Sequence, residues 1–111
     1  MSADELRQAA ETLRARAQAS SRAPWVVDGE GDLEGTEVRA ARGAGPTVAQ
    51  TVPLGYERRR ANAAYIATMH PGVGLALADW LDDEAKAAGY HENRIIPSAL
   101  TIARLINGGA S

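Results

Sequence analysis

The sequence predicts an α+β fold: an N-terminal helix, a three-stranded antiparallel β-meander, then two to three C-terminal helices. Three observations carry this expectation. Residues 3–19 contain no Gly or Pro and set Leu6, Ala10, Leu13 and Ala17 at steps of four, three and four, a helical period. Residues 25–52 hold three short runs rich in β-branched residues, separated by turns containing Gly or Pro. Residues 57–106 return to helical spacing, punctuated by Pro71, Gly89 and Pro97.

The elements follow in order. Ser2 is a good N-cap, and Glu5 stands three residues on, at capping-box spacing. The helix they open runs to about Ala19, and Ser20-Ser21-Arg22-Ala23-Pro24 ends it. Trp25-Val26-Val27 reads as the first strand and Asp28-Gly29-Glu30-Gly31-Asp32 as a turn. Glu34 to Ala41 is the second strand, Arg42 to Pro46 the next turn, and Thr47 to Val52 the third strand. Helical character resumes at Glu57 or Arg58 and runs to Met69. His70-Pro71 breaks it, because the residue before a proline avoids the α region, and Pro71 opens a new helix to about Ala88. Ile66, Met69, Val73, Leu77, Trp80, Leu81 and Glu84 lie on or near one face. Gly89 is placed to act as a left-handed C-cap. Pro97 opens the last helix, Leu100 to Ile106, and Asn107-Gly108-Gly109 closes it.

The core is expected to be thin. Nine Leu, six Val, five Ile and no Phe make 20 large aliphatic residues in 111, while Ala, which fills little volume, supplies 23. That fraction is near the level at which disorder sets in, but the formal charge of −2 lacks the imbalance that disorder also requires. One domain over 1–111 is expected, with no linker long enough for a second. Because Leu6 and Leu13 are the only large residues of the first helical seam, that seam and the Trp80 face are expected to pair with a second copy, as a homodimer or higher oligomer.

Composition excludes several chemistries. With no cysteine there are no disulfides, thiolate nucleophiles or Cys-ligated metals, which favours the cytoplasm. The N-terminus is polar, and no apolar run approaches the ~18 residues of a membrane span. His70 and His91 have no partner at metal-ligand spacing, so His70 is read as capping the helix that Pro71 opens, and no metal is expected. Ser20, Ser21 and Ser98 lack a nucleophile elbow, and the two Gly-x-Gly pairs lack the context that cradles a pyrophosphate. No enzyme and no cofactor are expected. Arg58, Arg59 and Arg60 form the one dense basic cluster. Pairing with the acidic meander is preferred for it over contact with nucleic acid, given the low overall charge. Trp25, Tyr65 and Ile66 are the bulky groups expected to join meander to helix, with Trp80 in the core or an oligomer seam.

Two stretches together carry a family resemblance: Ala23-Pro24-Trp25 directly after an Ala/Arg-rich helix, and Asn62-Ala63-Ala64-Tyr65-Ile66-Ala67 followed by His70-Pro71 and an apolar helix. Over residues 3–85 the chain resembles the Ead-type accessory proteins of the lambdoid phage early region and their actinobacterial phage and prophage relatives. The resemblance implies a small non-enzymatic accessory protein with no catalytic residues to carry over. Its partner would be a host or phage protein. Residues 89–111 have no counterpart in that pattern.

Overall fold

The computed structural model describes residues 2–28, 36–51, 56–90 and 96–108. The element order is α1 (Ser2–Ala19), β1 (Trp25–Asp28), β2 (Thr36–Ala40), β3 (Thr47–Thr51), α2 (Tyr56–Thr68), α3 (Pro71–Tyr90) and α4 (Pro97–Ile106). The α+β order expected from the sequence is therefore the one found. Two compact units are distinguishable along the chain: Met1–Ala17 with Gly74–Ser111, and Gln18–Val73 between them.

The first unit is helical. Asp4 and Glu5 in the first turn of α1 and Arg16 in its last turn complement the helix dipole. Its core joins Leu6, Ala9 and Ala10 of α1 to Ala78, Leu81 and Ala85 of α3 and Ala99 and Ala103 of α4. Leu13, Trp80, Ile102 and Ile106 pack against this cluster, partly buried. Six of the eight buried positions are Ala, so volume comes from Leu6 and Leu81, while the small side chains let the helices approach closely. The seam of α1 thus finds its cover within the chain. Leu6 is fully buried there, and Leu13 is half-buried against the same cluster, which removes the reason for assigning that seam to a second copy.

Two local expectations are corrected in this unit. Glu5 does not turn back to Ser2 as a capping box; its carboxylate accepts from Arg104 Nε at 2.8 Å. Charge-assisted bonding to a guanidinium outcompetes a neutral backbone N–H. Gly89 is not a C-cap either, because α3 continues to Tyr90. Residues 91–95, which include His91, lie outside the described residues, as does most of the turn expected at 28–32. Pro97 stands at the start of α4, after Ile96 in the extended conformation that a following proline demands. Gly108, at φ +87°, closes that helix in the left-handed region.

The second unit is a meander with a helix on it. The strands run in order β1-β2-β3, antiparallel, with Trp25 opposite Ala40 and Thr36 opposite Thr51. The β2–β3 register slips between Val38 and Arg39, where Val48 is the extra residue of a bulge. Thr36, Val38 and Ala40 are buried on one face of β2 and alternate with half-buried Glu37 and Arg39. Helix α2 contacts all three strands. The β2–β3 connection passes through Ala41, Arg42 and Gly43 at φ 52°, 58° and 87°, three successive left-handed residues. The Ala41 and Arg42 amides donate to the carbonyls of Arg22 and Pro24, so the segment leading into β1 holds this turn. Gly45 lies close beside it: a Cβ there would stand 3.1 Å from the Ala40 oxygen, a tight contact.

Candidate functional site

The side chains singled out by sequence fall into three environments. Leu6, Leu13 and Trp80 belong to the helical core or pack on it. Trp25 is half-buried at the start of β1, and its indole Nε1–H donates to the Ser21 carbonyl at 3.1 Å. Tyr65 and Ile66 separate. Ile66 is half-buried and lies three residues beyond buried Ala63 and seven beyond buried Arg59, on the side of α2 that faces the sheet. Tyr65 is 68% exposed, which corrects the expectation that it joins helix to meander. Neighbours on a helix differ by about 100° in direction, so only one of an adjacent pair can face the sheet.

The three arginines separate in the same way. Arg58 is exposed, Arg60 is half-buried, and Arg59 is 9% exposed. The Thr51 hydroxyl explains the rotation of the helix. It lies 3.0 Å from the Arg59 carbonyl and 3.1 Å from that of Thr36, sharing its single proton between them, and so ties β3 to the second turn of α2. The cluster therefore does not present one continuous basic surface. Helix α2 begins at Tyr56, slightly ahead of the expected start. In the meander, Asp28 and Glu37 both lie 3.2 Å from Arg39 Nε.

Charged groups of the helical unit pair across its elements. Arg14 Nη2 donates to Asp79 at 3.0 Å and to Asp82 at 2.9 Å, one turn apart on α3. Those hydrogen bonds, that to Asp82 foremost, hold the guanidinium more firmly charged than usual. Asp82 is half-buried and paired. Its partnership with Arg14 is a signal that helical spacing alone does not carry. Arg104 beside Glu5 holds that carboxyl below the usual carboxylate range, chiefly through the side-chain hydrogen bond. Asn107 Nδ2 donates to the Glu5 carbonyl at 3.0 Å, so the end of α4 is bound to the start of α1. Among the described residues, no group of three or more His, Asp or Glu is placed to hold a metal ion. His70 is accounted for: Gly72 N–H donates to its Nδ1 at 3.0 Å, making it the cap of α3 that the sequence suggests.

What remains is a surface. Arg58, Asn62, Tyr65 and Met69 recur at steps of four, three and four and are all exposed, with exposed Ala61 beside them. Tyr65 at 68% and Met69 at 43% exposure place an aromatic ring and a thioether on the outer face of α2. The Met69 amide donates to the Tyr65 and Ile66 carbonyls at 3.1 Å, so Met69 completes the final turn of the ridge. Ile96 and Leu105 are also exposed, in and before α4 of the other unit. Fold and surface together define a small α+β protein bearing a helical ridge of mixed apolar and polar residues. Comparison with protein-family models, with curated proteins and with solved structures found no match. No described helix is long and apolar enough to cross a membrane.

Proposed function

We propose that this chain is a small non-enzymatic accessory module whose work is protein–protein contact, made through the outer ridge of α2. The observation that carries this reading is the exposure of Tyr65 and Met69. Among the described residues few large side chains are fully buried, with Leu6, Leu81, Val38 and Thr36 the largest, yet Tyr65 in the last turn of α2 and Met69 just past its end stand in solvent. Aromatic residues and methionine are enriched at protein interfaces. The resemblance of residues 3–85 to Ead-type accessory proteins supports the same class, in a phage or prophage of an actinobacterial host. The cysteine-free composition suggests that it acts in the cytoplasm.

The first occupant of the ridge is a second copy of the chain. The 4-3-4 spacing is self-complementary about a two-fold axis crossing α2 between Ala63 and Ala64. An antiparallel copy then sets Arg58 opposite the partner's Met69 and Asn62 opposite the partner's Tyr65. This is the isologous geometry of a two-fold dimer. A helix of 13 residues is about 20 Å long, so the contact is small and its affinity falls in the micromolar range. Nucleic-acid contact through Arg58, Arg59 and Arg60 is not favoured, since Arg59 is buried.

Sedimentation velocity from about 5 to 200 μM tests this, a range that brackets micromolar dissociation. The wild-type chain is expected to pass from monomer to dimer. Tyr65→Asp with Met69→Asp should remain monomeric while melting at the wild-type temperature, because neither side chain is in a core. A wild-type chain that is monomeric throughout, or a double variant that still dimerises, would refute the proposed dimer.

A further inference from the structure

The junction between α2 and α3 concentrates its ionisable chemistry in a single imidazole. Residues 61–78 contain no Asp, Glu, Lys or Arg, and their ionisable groups are His70 and the phenol of Tyr65. Of these two, only an imidazole ordinarily changes charge between pH 5 and 8. His70 stands immediately before the Pro71 that opens α3.

The opening turn of α3 is served by this one residue. Pro71 has no N–H to satisfy. The Gly72 amide donates to His70 Nδ1 at 3.0 Å, and the Val73 amide donates to the His70 carbonyl at 2.9 Å. The fit of the ring depends on glycine. A Cβ at position 72 would lie 2.6 Å from the His70 Cε1 and 3.0 Å from its Nδ1. Among the described residues, no acidic or basic side chain makes a hydrogen bond or ion pair with the ring, whose polar contact there is the Gly72 amide. The nearest charged residues along the helices are Arg60 and Asp79, ten and nine positions away.

An Nδ1 that accepts a hydrogen bond belongs to a neutral ring with its proton on Nε2. Protonation places an N–H on Nδ1, facing the N–H of Gly72, and turns the cap from acceptor to donor. It also puts a positive charge at the positive end of the helix dipole. We propose that His70 is a proton-operated cap: neutral, it locks the first turn of α3; protonated, it releases the Gly72 amide and loosens that turn. The direction follows from the bond. The first turn is held at high pH and loosens as acid protonates the ring.

NMR on the intact chain tests this in two readouts. At high pH the ring nitrogens of His70 should report the Nε2–H tautomer; the Nδ1–H tautomer would overturn the proposal. Across the titration of the ring, hydrogen-exchange protection of the Gly72 amide, corrected for intrinsic rate, should fall about fivefold, as loss of one helix cap implies. His70→Asn supplies a capping oxygen that does not titrate, so its Gly72 protection should stay flat over the same interval. Wild-type protection that ignores the titration of the ring, or an equal fall in His70→Asn, would overturn the assignment.

Discussion

At the scale of single residues, two threonines facing each other across the β2–β3 pair do opposite things. Thr36 and Thr51 are register partners, and both are buried. The Thr51 hydroxyl reaches the Thr36 and Arg59 carbonyls, whereas the Thr36 hydroxyl is buried with no hydrogen-bond partner among the described residues. A buried, unmade hydrogen bond costs free energy, while a made one to a neighbouring element stabilises. Thr36→Val, nearly isosteric and better suited to a strand, should be neutral or raise stability by up to about 1 kcal/mol. Thr51→Val should lower it by about 1–2 kcal/mol, because two buried carbonyls lose their shared donor. Urea denaturation of the two variants separates them; equal losses would show that both hydroxyls are satisfied. Neither role is legible in the sequence, where the two threonines look alike.

At the scale of elements, local chemistry was the better guide. The Gly-free N-terminal run, the β-branched strands, the turn at 42–46 and the proline starts of α3 and α4 all announced elements that formed. Each rests on interactions within a few residues, which sequence spacing encodes directly. The ends were less legible. Gly89 looks like a C-cap, but helix propensity is a weak prior and α3 runs on to Tyr90. Glycine within α3 suggests a test. Gly74 sits in a helix interior, where glycine costs about 0.5–1 kcal/mol relative to alanine. A Cβ there would meet the Ala17 Cβ at 3.5 Å, an ordinary contact. Gly74→Ala should therefore raise stability by about 0.5–1 kcal/mol, read as a higher denaturation midpoint with unchanged slope. A loss would mean that α1 and α3 cannot spare the methyl's volume. Gly72→Ala should do the reverse, since it displaces the His70 ring from its cap.

At the scale of the whole molecule, contacts far apart in sequence close the helical unit. Arg104 and Asn107 reach back to Glu5, and Arg14 reaches Asp79 and Asp82. The Glu5 carboxyl is held below its ordinary range by Arg104, so its contribution to stability is present above that range and is lost as pH falls through the lowered value. Glu5→Gln should be slightly less stable than wild type at neutral pH, as a solvent-exposed pair contributes little. The deficit should close in acid, once the wild-type carboxyl is protonated too. Thermal melts of both chains from pH 7 to pH 2 check this, and a deficit that persists at pH 2 would mean that the carboxylate's charge is not what Glu5 contributes.

The candidate surface was only partly legible for the same reason. The sequence singles out Arg58 and Tyr65 but not the exposure of Tyr65. Tyr65 and Ile66 are equally plausible as the group that packs on the sheet until the rotation of α2 is known. That rotation is set by contacts with β3 at Thr51, at a distance along the chain that periodicity does not span.

The sequence by itself determined the order and type of the elements, the absence of cysteine chemistry and the capping role of His70, because these depend on composition or on neighbours within a turn. Tertiary structure alone decided three other matters. It turned the seam of α1 inward, so that Leu6 meets Leu81 in a core otherwise made of alanine. It buried Arg59 while exposing Arg58. It also left Tyr65 and Met69 as the free ridge. Which face of a helix is covered depends on what packs against it, and a helix of suitable periodicity offers several faces until a neighbour selects one.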